Sequence, residues 1–393
     1  MTDVMTSPRR GLPWPLLGWF GASATLMVPQ AAGPVAFSLL ALALTGDTQG
    51  GAALVLAMTL AQVAGAVPVT RWGRGRNPTA FLRLLVLGRT LALGGVALAG
   101  ALGAPFWLLV VLAALSGSVA GAAYGYLRSL LSHLTPEDRY PRALGIAATL
   151  NEVTFVAAPV AAAGLGALSP VLGLAALTLI GALPVLLVPR VAQAEVPGVA
   201  TRGSLLTARV LLWLACAAGG GAAVAVIEIG AVALALKFGQ APTMAILFTV
   251  PLCLASICGG IWVSVRNRMA GRGVVVAQLA VTALGVALVA WGGALAPTLA
   301  GAVLVGAVMP PLGTTYMLVL DRLVPKDRRA EAFAVLRTAN ALGVILASGL
   351  LALVSLPAAL LAVVSLPAAL LAVALLMGAV MTLVALTPGA MGA

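Results

Sequence analysis

The sequence predicts an all-α polytopic membrane protein in which twelve transmembrane helices form two six-helix bundles. Of its 393 residues, 62% are hydrophobic and only 8% are charged, which is too little charge to cover the surface of a soluble domain of this length. Apolar runs of about 20 residues recur along the chain, and each is long enough to cross a bilayer as a helix. The alternating segments of about ten residues that form a transmembrane barrel are not found in the sequence.

The apolar runs divide into twelve predicted spans. They cover residues 14–44, 50–70, 79–100, 105–130, 141–166, 170–189, 206–236, 242–265, 273–295, 298–320, 330–354 and 358–386. The N-terminal stretch MTDVMTSPRRGLPW has no cleavage site after a short apolar core, so we expect the first span to be retained.

The basic residues lie on one side of the predicted membrane. If the N-terminus is the first inner segment, 20 of the 22 Lys and Arg residues fall in inner segments or in the inner parts of the spans that flank them; the exceptions are Lys237 in an outer loop and Arg89 deep within a span. This asymmetry is typical of the positive-inside rule and predicts a multi-pass protein of the cell inner membrane with both termini in the cytosol. Topology therefore explains the net charge of +12, and no nucleic-acid partner is expected.

No metal, disulfide or cofactor site is predicted. Cys216, Cys253 and Cys258 all fall within spans, and the single histidine, His133, stands at a loop edge without neighbouring ligands. The sequence contains no phosphate-binding loop and no constellation of nucleophile, histidine and acid. We therefore expect neither an ATP-driven pump nor an enzyme.

An internal repeat divides the chain into two halves. The segment LTPEDR at 134–139 returns as LVPKDR at 323–328, and at the same offset Asn151 aligns with Asn340. The predicted domains are an N-terminal bundle at 1–189, a central cytosolic loop at 190–205 and a C-terminal bundle at 206–393. Because six spans is an even number, the two halves have the same orientation in the membrane.

The loop after the second span carries a family motif. The segment GAVPVTRWGRGR at 65–76 resembles the G-x4-D-R-x-G-R-R signature of the major facilitator superfamily, with matches at Gly65, Arg71, Gly73 and Arg74. The resemblance implies two six-helix bundles around a central cavity, with this loop helping to hold a cytosolic gate closed. The signature's aspartate is Thr70 here, so its usual charge network cannot form unchanged.

The fifth span carries a second pattern. Its small residues Gly145, Thr154, Ala158-Pro159 and Ala162-Ala163 keep the spacing G-x8-G-x3-G-P-x2-G-G, which resembles the drug:proton antiporter branch of the family. The resemblance implies efflux coupled to protons. The alternative is simple helix packing, because small residues let helices approach closely in lipid and Pro159 allows a bend.

Glu152 is the leading candidate for proton coupling. On a helical wheel it shares a stripe with Gly145 and Pro159 in the fifth span. An unpaired carboxylate in hydrocarbon costs several kcal/mol, so the group takes up a proton unless water or a cation stabilises its charge. The alternative is a static salt bridge with Arg89, which lies at a similar depth in the third span.

Other polar groups are assigned by the fold that the resemblance implies, in which the first, fourth, seventh and tenth helices line the cavity. Glu228 in the seventh span is a site for a second proton or a cationic substrate, or else a carboxylate that reaches the outer surface. Asp321 is expected to pair with Arg337 or a loop arginine at the inner gate. The candidates for the substrate cavity are polar or bend-forming residues within spans, each with helix packing or interhelical hydrogen bonding as the alternative: Gln30, Gln62, Tyr124, Asn151, Pro159, Tyr316 and Asn340.

These features predict a monomeric secondary transporter that exports a hydrophobic or amphiphilic small molecule by proton antiport and alternating access. Its expected partners are the substrate, protons and the lipid bilayer. Two alternatives stay open: a facilitator or importer of a sugar or metabolite, and a membrane receptor or scaffold that transports nothing.

Overall fold

The computed structural model describes residues 14–46, 49–190, 205–240, 242–355, 378–379 and 381–384. In chain order the helices are α1 Trp14–Thr45, α2 Gln49–Trp72, α3 Pro78–Ala101, α4 Phe106–Leu134, α5 Tyr140–Leu168, α6 Pro170–Ala182, α7 Pro184–Leu187, α8 Ala208–Lys237, α9 Ile246–Arg266, α10 Arg272–Trp291, α11 Leu295–Leu323 and α12 Arg329–Ser355. Short 3₁₀ turns at Glu137–Arg139, Pro242–Ala245 and Lys326–Arg328 precede α5, α9 and α12.

Eleven segments of the described chain are long and apolar enough to cross a membrane, and α6 and α7 together make one of them, Pro170–Leu187. They correspond to the first eleven predicted spans. The twelfth predicted span, 358–386, lies outside the described residues except for 378–379 and 381–384, which are helical. The central loop predicted at 190–205 also lies almost wholly outside them, so the domain boundaries stay a prediction.

The helices pack in two groups. In the first, α1 packs against α2, α5 and α6, while α4 packs against α2 and α3. In the second, α12 packs against α8, and α11 packs against α9 and α10. Each group has its own buried apolar clusters, centred for example on Trp19 and Phe37 in the first and on Trp213 and Phe248 in the second.

Glycines set the closest helix approaches in both groups. A Cβ atom on Gly65 of α2 would collide with the backbone of Ser118 in α4, and one on Gly117 would collide with the backbone of Met58. The equivalent pair in the second group, α9 and α11, approaches in the same way at Gly259. Small residues allow such backbone contact in lipid, where dispersion and interhelical hydrogen bonds drive helix association. Gly65, predicted as a gate residue, therefore lies at a helix-packing contact.

The two groups meet at one end of the helices, where α2, α4, α9 and α11 finish and α3, α5, α10 and α12 begin. We call it the arginine-rich end because most of the arginines of the loops lie there. Gly125 of α4 packs against the backbone of Ala330, and Gly145 of α5 packs against Ser264 of α9. Further side-chain bonds join the groups at the same end, as described below. The structure is thus closed at the arginine-rich end.

Candidate functional site

Glu152 lies on the face of α5 that meets α9. The two helices run antiparallel, with Gly145 against Ser264 and Thr149 against Gly260. The next turn along this register brings Glu152 opposite Ser256, whose hydroxyl hydrogen-bonds to the carboxyl group. As predicted, Glu152 shares its helix face with Gly145. The face packs against a helix of the other half, so Glu152 lies between the halves.

Glu228 of α8 brings a second carboxyl group to the same place. It interacts electrostatically with Glu152, and Cys253 of α9 lies close to both acids. The Glu228 side chain is exposed. Within the described chain, neither acid forms a salt bridge. Two acidic groups from opposite halves therefore interact with one another, and no ion pair of the described residues neutralises them.

Arg89 is not the partner of Glu152. Its side chain is buried in α3, and its Nη1 donates a hydrogen bond of 2.7 Å to the carbonyl oxygen of Leu26. A charged residue that acts on Arg89 is Arg337, and the two positive charges repel one another. The static Arg89–Glu152 salt bridge that the sequence left open is absent from the described structure, which removes the main structural explanation for Glu152.

Arg337 occupies a different environment from the one predicted. Its guanidinium lies over the ring of Tyr124, 5.6 Å from the ring centre, and Arg128 lies 5.2 Å from the centre of the same ring. The expected Asp321–Arg337 pair is not formed. Asp321 instead pairs with the loop arginine Arg329 at 2.9 Å, which was the other predicted partner.

The ionic contact of the closed end centres on Glu331, a residue that sequence reasoning missed. Its carboxylate accepts hydrogen bonds from Arg71 at 3.0 Å, from Arg74 and from Arg328. Arg71 lies in the last turn of α2 and Arg74 just after it, in the first half, whereas Glu331 lies in the first turn of α12 in the second. The two signature arginines thus bind an acid across the interface between the halves, and the position of the missing signature aspartate is held by Thr70.

The loop that carries these arginines is packed tightly beneath them. A Cβ atom on Gly73 would collide with the ring of Phe81 and the hydroxyl of Tyr126. That hydroxyl donates a hydrogen bond of 3.0 Å to the carbonyl oxygen of Thr70, and Arg76 covers the ring of Trp72 at 4.6 Å. Gly73 is therefore required for the loop to lie close enough to α3 and α4.

A second contact between the halves uses no side-chain charge. Asn267 ends α9 in the left-handed conformation, with φ of 46°. Its side-chain oxygen accepts a hydrogen bond from the Arg142 amide at 2.9 Å, and its amide group donates to the Asp138 carbonyl at 2.6 Å. Residues of the second half thereby hold the beginning of α5 in the first half.

The predicted cavity residues do not all face one space. Gln30, Asn151, Pro159 and Asn340 are partly buried, and Asn340 packs against Gly221 of α8. Gln62 is buried in α2, whereas Tyr316 is buried in the core of the second half, with its ring 5.8 Å from Trp213. Tyr124 is the candidate that directly contacts charged groups between the halves. No cluster of three or more His, Cys, Asp or Glu side chains suited to a metal occurs within the described ranges.

Comparison with known proteins identifies the fold. The profile of the Major Facilitator Superfamily matches residues 16–348. No curated protein matches the sequence.

Solved structures are similar over almost the whole chain. A bacterial homologue of the iron transporter ferroportin in an outward-facing state shares 17% identity, with a TM-score of 0.77 and coverage of 95% of this chain and 98% of that one. The E. coli fucose:proton symporter FucP shares 14%, with a TM-score of 0.77 and coverage of 96% and 99%. The human organic anion transporter MFSD10 (TETRAN) shares 12%, with a TM-score of 0.69 and coverage of 96% and 100%. These likenesses confirm the predicted fold class and, at such identities, show the fold alone.

Proposed function

Since the chain belongs to the Major Facilitator Superfamily and is a multi-pass membrane transporter, we propose that it exports a hydrophobic or amphiphilic small molecule in exchange for protons. The protein acts without a cofactor, as a monomer in the inner membrane. Both termini and the arginine-rich end face the cytosol, in line with the positive-inside rule. The structure then corresponds to an outward-facing state, since the closed end is the cytosolic one.

The Glu152–Glu228 pair is the observation that carries this proposal. Two carboxyl groups that interact within the membrane-spanning part of a protein, without a salt bridge, cannot both be ionised without a cost. If one of the two groups holds a proton, the repulsion is removed. When Glu152 is the ionised group, the Ser256 hydroxyl stabilises its negative charge by a hydrogen bond. Because the two acids belong to different halves, any movement of the halves changes their separation. Proton binding and the conformation of the transporter are therefore linked.

The contacts at the arginine-rich end supply the second element of the mechanism. Glu331 binds Arg71 and Arg74 only while the halves are closed at that end. Opening towards the cytosol has to break these ion pairs and the hydrogen bonds of Asn267. The alternating-access cycle thus has an identifiable cytosolic gate, which lies apart from the proton site.

Transport by inside-out vesicles tests the proposal. Fluorescent amphiphiles are supplied outside vesicles that contain the protein, a proton gradient acid inside is imposed, and uptake and lumenal pH are recorded together. We expect uptake that depends on the gradient and releases protons from the lumen. Glu152→Gln should abolish gradient-driven accumulation while leaving exchange of substrate down its own gradient. Glu137→Gln, at an exposed loop acid, is the matched control and should behave as wild type.

Two results would count against the proposal. Full gradient-driven accumulation by a well-folded Glu152→Gln variant would show that this carboxylate carries no coupled proton. Uptake that continues at the same level without any gradient, in the wild type, would indicate a facilitator.

A further inference from the structure

Three arginines come together in the interior, on helices from both halves: Arg89 of α3, Arg128 of α4 and Arg337 of α12. We call them the arginine cluster. Arg128 and Arg337 share the ring of Tyr124, and Arg128 also lies 5.3 Å from the ring centre of Trp19. Arg337 repels Arg89 and is in turn repelled by Arg128. The three positive charges are therefore close enough to destabilise one another.

The cluster has no counter-charge in the described chain. None of its three members forms a salt bridge there. Arg89 and Arg128 are only 2% and 4% exposed. Nε and Nη2 of Arg89, and Nε and Nη1 of Arg128, have no hydrogen-bond partner within the described ranges. A buried, unpaired guanidinium costs several kcal/mol, and aromatic rings offset only a part of that cost.

The nearby acids do not neutralise the cluster. Glu152 interacts with Glu228 and Ser256, and Asp321 and Glu331 are paired with other arginines at the arginine-rich end. A bound anion would supply the negative charge that the described residues do not provide. Arg337 is partly exposed, so a bound molecule would reach the cluster at this side chain.

We propose that the arginine cluster binds the oxyanion group of the transported molecule, a carboxylate or a phosphate on an organic body. Guanidinium groups suit this role because their planar donors bind carboxylate and phosphate oxygens in pairs, and because they always keep their charge. Trp19 and Tyr124 offer apolar faces beside the charges. This assignment rests on the proposed transport function and names the substrate class: an amphiphile with an anionic head.

The placement of the cluster also links binding to conformation. Arg89 and Arg128 lie in the first half and Arg337 in the second, so one anion touches both halves while the arginine-rich end is closed. If α12 moves away from α4, the anion loses Arg337. An anionic substrate therefore favours the arrangement with a closed arginine-rich end, because it contacts Arg337 only in that arrangement.

Thermal unfolding of the purified full-length protein tests this site without any proton gradient. The probes share one aromatic body and differ in the head group: phenyl phosphate, benzoate, benzylamine and benzyl alcohol, at constant ionic strength. We expect phenyl phosphate or benzoate to raise the Tm saturably by about 2–5 °C, whereas benzylamine and benzyl alcohol leave it unchanged. The response to the two anions distinguishes a phosphate head from a carboxylate head.

Variants of the cluster separate binding from a structural role. Arg337→Gln and Arg128→Gln should each abolish the anion-induced rise. Because each removes one of three repelling charges, the ligand-free variants should melt no lower than wild type. A purely structural arginine would lower the Tm when it is replaced. Arg266→Gln is the matched control, since Arg266 stacks on Trp262 outside the cluster, and it should keep the full rise.

The proposal is overturned if neither anion raises the Tm of the wild type, or if both cluster variants respond as the wild type does. If Glu152→Gln uncouples transport as expected but no anion binds, the anion site is refuted while the proposed proton coupling stands. The proposed proton coupling fails alone if the anions bind through the cluster while Glu152→Gln still accumulates substrate against its gradient.

Discussion

Replacement of Glu331 by glutamine should open the arginine-rich end. The Glu331 side chain is 2% exposed and holds three arginines, of which Arg71 is 57% exposed, Arg74 33% and Arg328 6%. When the carboxylate is removed, Arg71 and Arg74 can return to water, and each exposed pair is worth only about 0.5 kcal/mol. Arg328, which lies in the same half as Glu331, loses the hydrogen bonds that it donates to this carboxylate.

The loss of the two interface pairs falls on the closed state alone, because Arg71 and Arg74 reach Glu331 only across the interface. Arg328 lies in the same half as Glu331 and loses its contact in both states, so this loss does not change the balance between them. We therefore count about 1 kcal/mol for the two interface pairs. This difference shifts the balance between closed and open forms by a factor of about 5.

The distance between two spin labels measures this shift. Glu137 and Lys326 are exposed at equivalent positions of the two halves, beside α5 and α12, and labels there follow the separation of the halves at the arginine-rich end. Cys216, Cys253 and Cys258 are first replaced. In the Glu331→Gln background, we expect a second, longer distance to become populated.

A matched control is available close by. Asp138→Asn makes a comparable acid-to-amide change at an exposed residue, whose ion pair with the exposed Arg139 spans 3.8 Å. It should leave the distance distribution as in the wild type. An unchanged distribution for Glu331→Gln, in a folded protein, would refute the view that these ion pairs hold the end closed.

Two further expectations concern packing and topology. Gly65→Val should lower the Tm by several degrees, because the new side chain meets the backbone of Ser118. Gly88→Ala is the control and should leave the Tm almost unchanged, because Gly88 has open space around it. Equal melting temperatures for the two variants would contradict the packing role of Gly65. A reporter fused after Arg202 should read cytosolic, as the arrangement of basic residues predicts, and a periplasmic signal would overturn the assignment of sides.

The sequence was sufficient for the fold because the fold depends on features that are local in the chain. Each of these features can be recognised from residues that are close in the sequence. They are the length of the apolar runs, the arginines of the loops, and the repeated segments LTPEDR and LVPKDR. The ends of α1 to α5 agree with the predicted spans within a few residues. The positions of Gly145 and Glu152 on one helix face also follow from helical periodicity alone.

The electrostatic partners could not be predicted in the same way. Arg71 and Glu331 are 260 residues apart, and their contact depends on how the halves dock. Arg128 was counted with the loop arginines that define topology, yet it lies buried against Trp19 and Tyr124. Depth along a helix gives no rotation about its axis, so the similar depths of Arg89 and Glu152 left open a salt bridge that the structure does not form.

The two contacts that close the arginine-rich end occupy related places in the repeat but differ in chemistry. Glu331 in the first turn of α12 binds arginines at the end of α2, whereas the beginning of α5 at Arg142 is held through its backbone by Asn267. Salt screens ion pairs between partly exposed groups far more than it affects neutral hydrogen bonds. Rising ionic strength should therefore loosen the Glu331 contact first and leave Asn267 to hold α5 against α9. The acids Glu152 and Glu228 meet beyond this Asn267 contact, so the halves can begin to open at α12 while the proton site is still assembled.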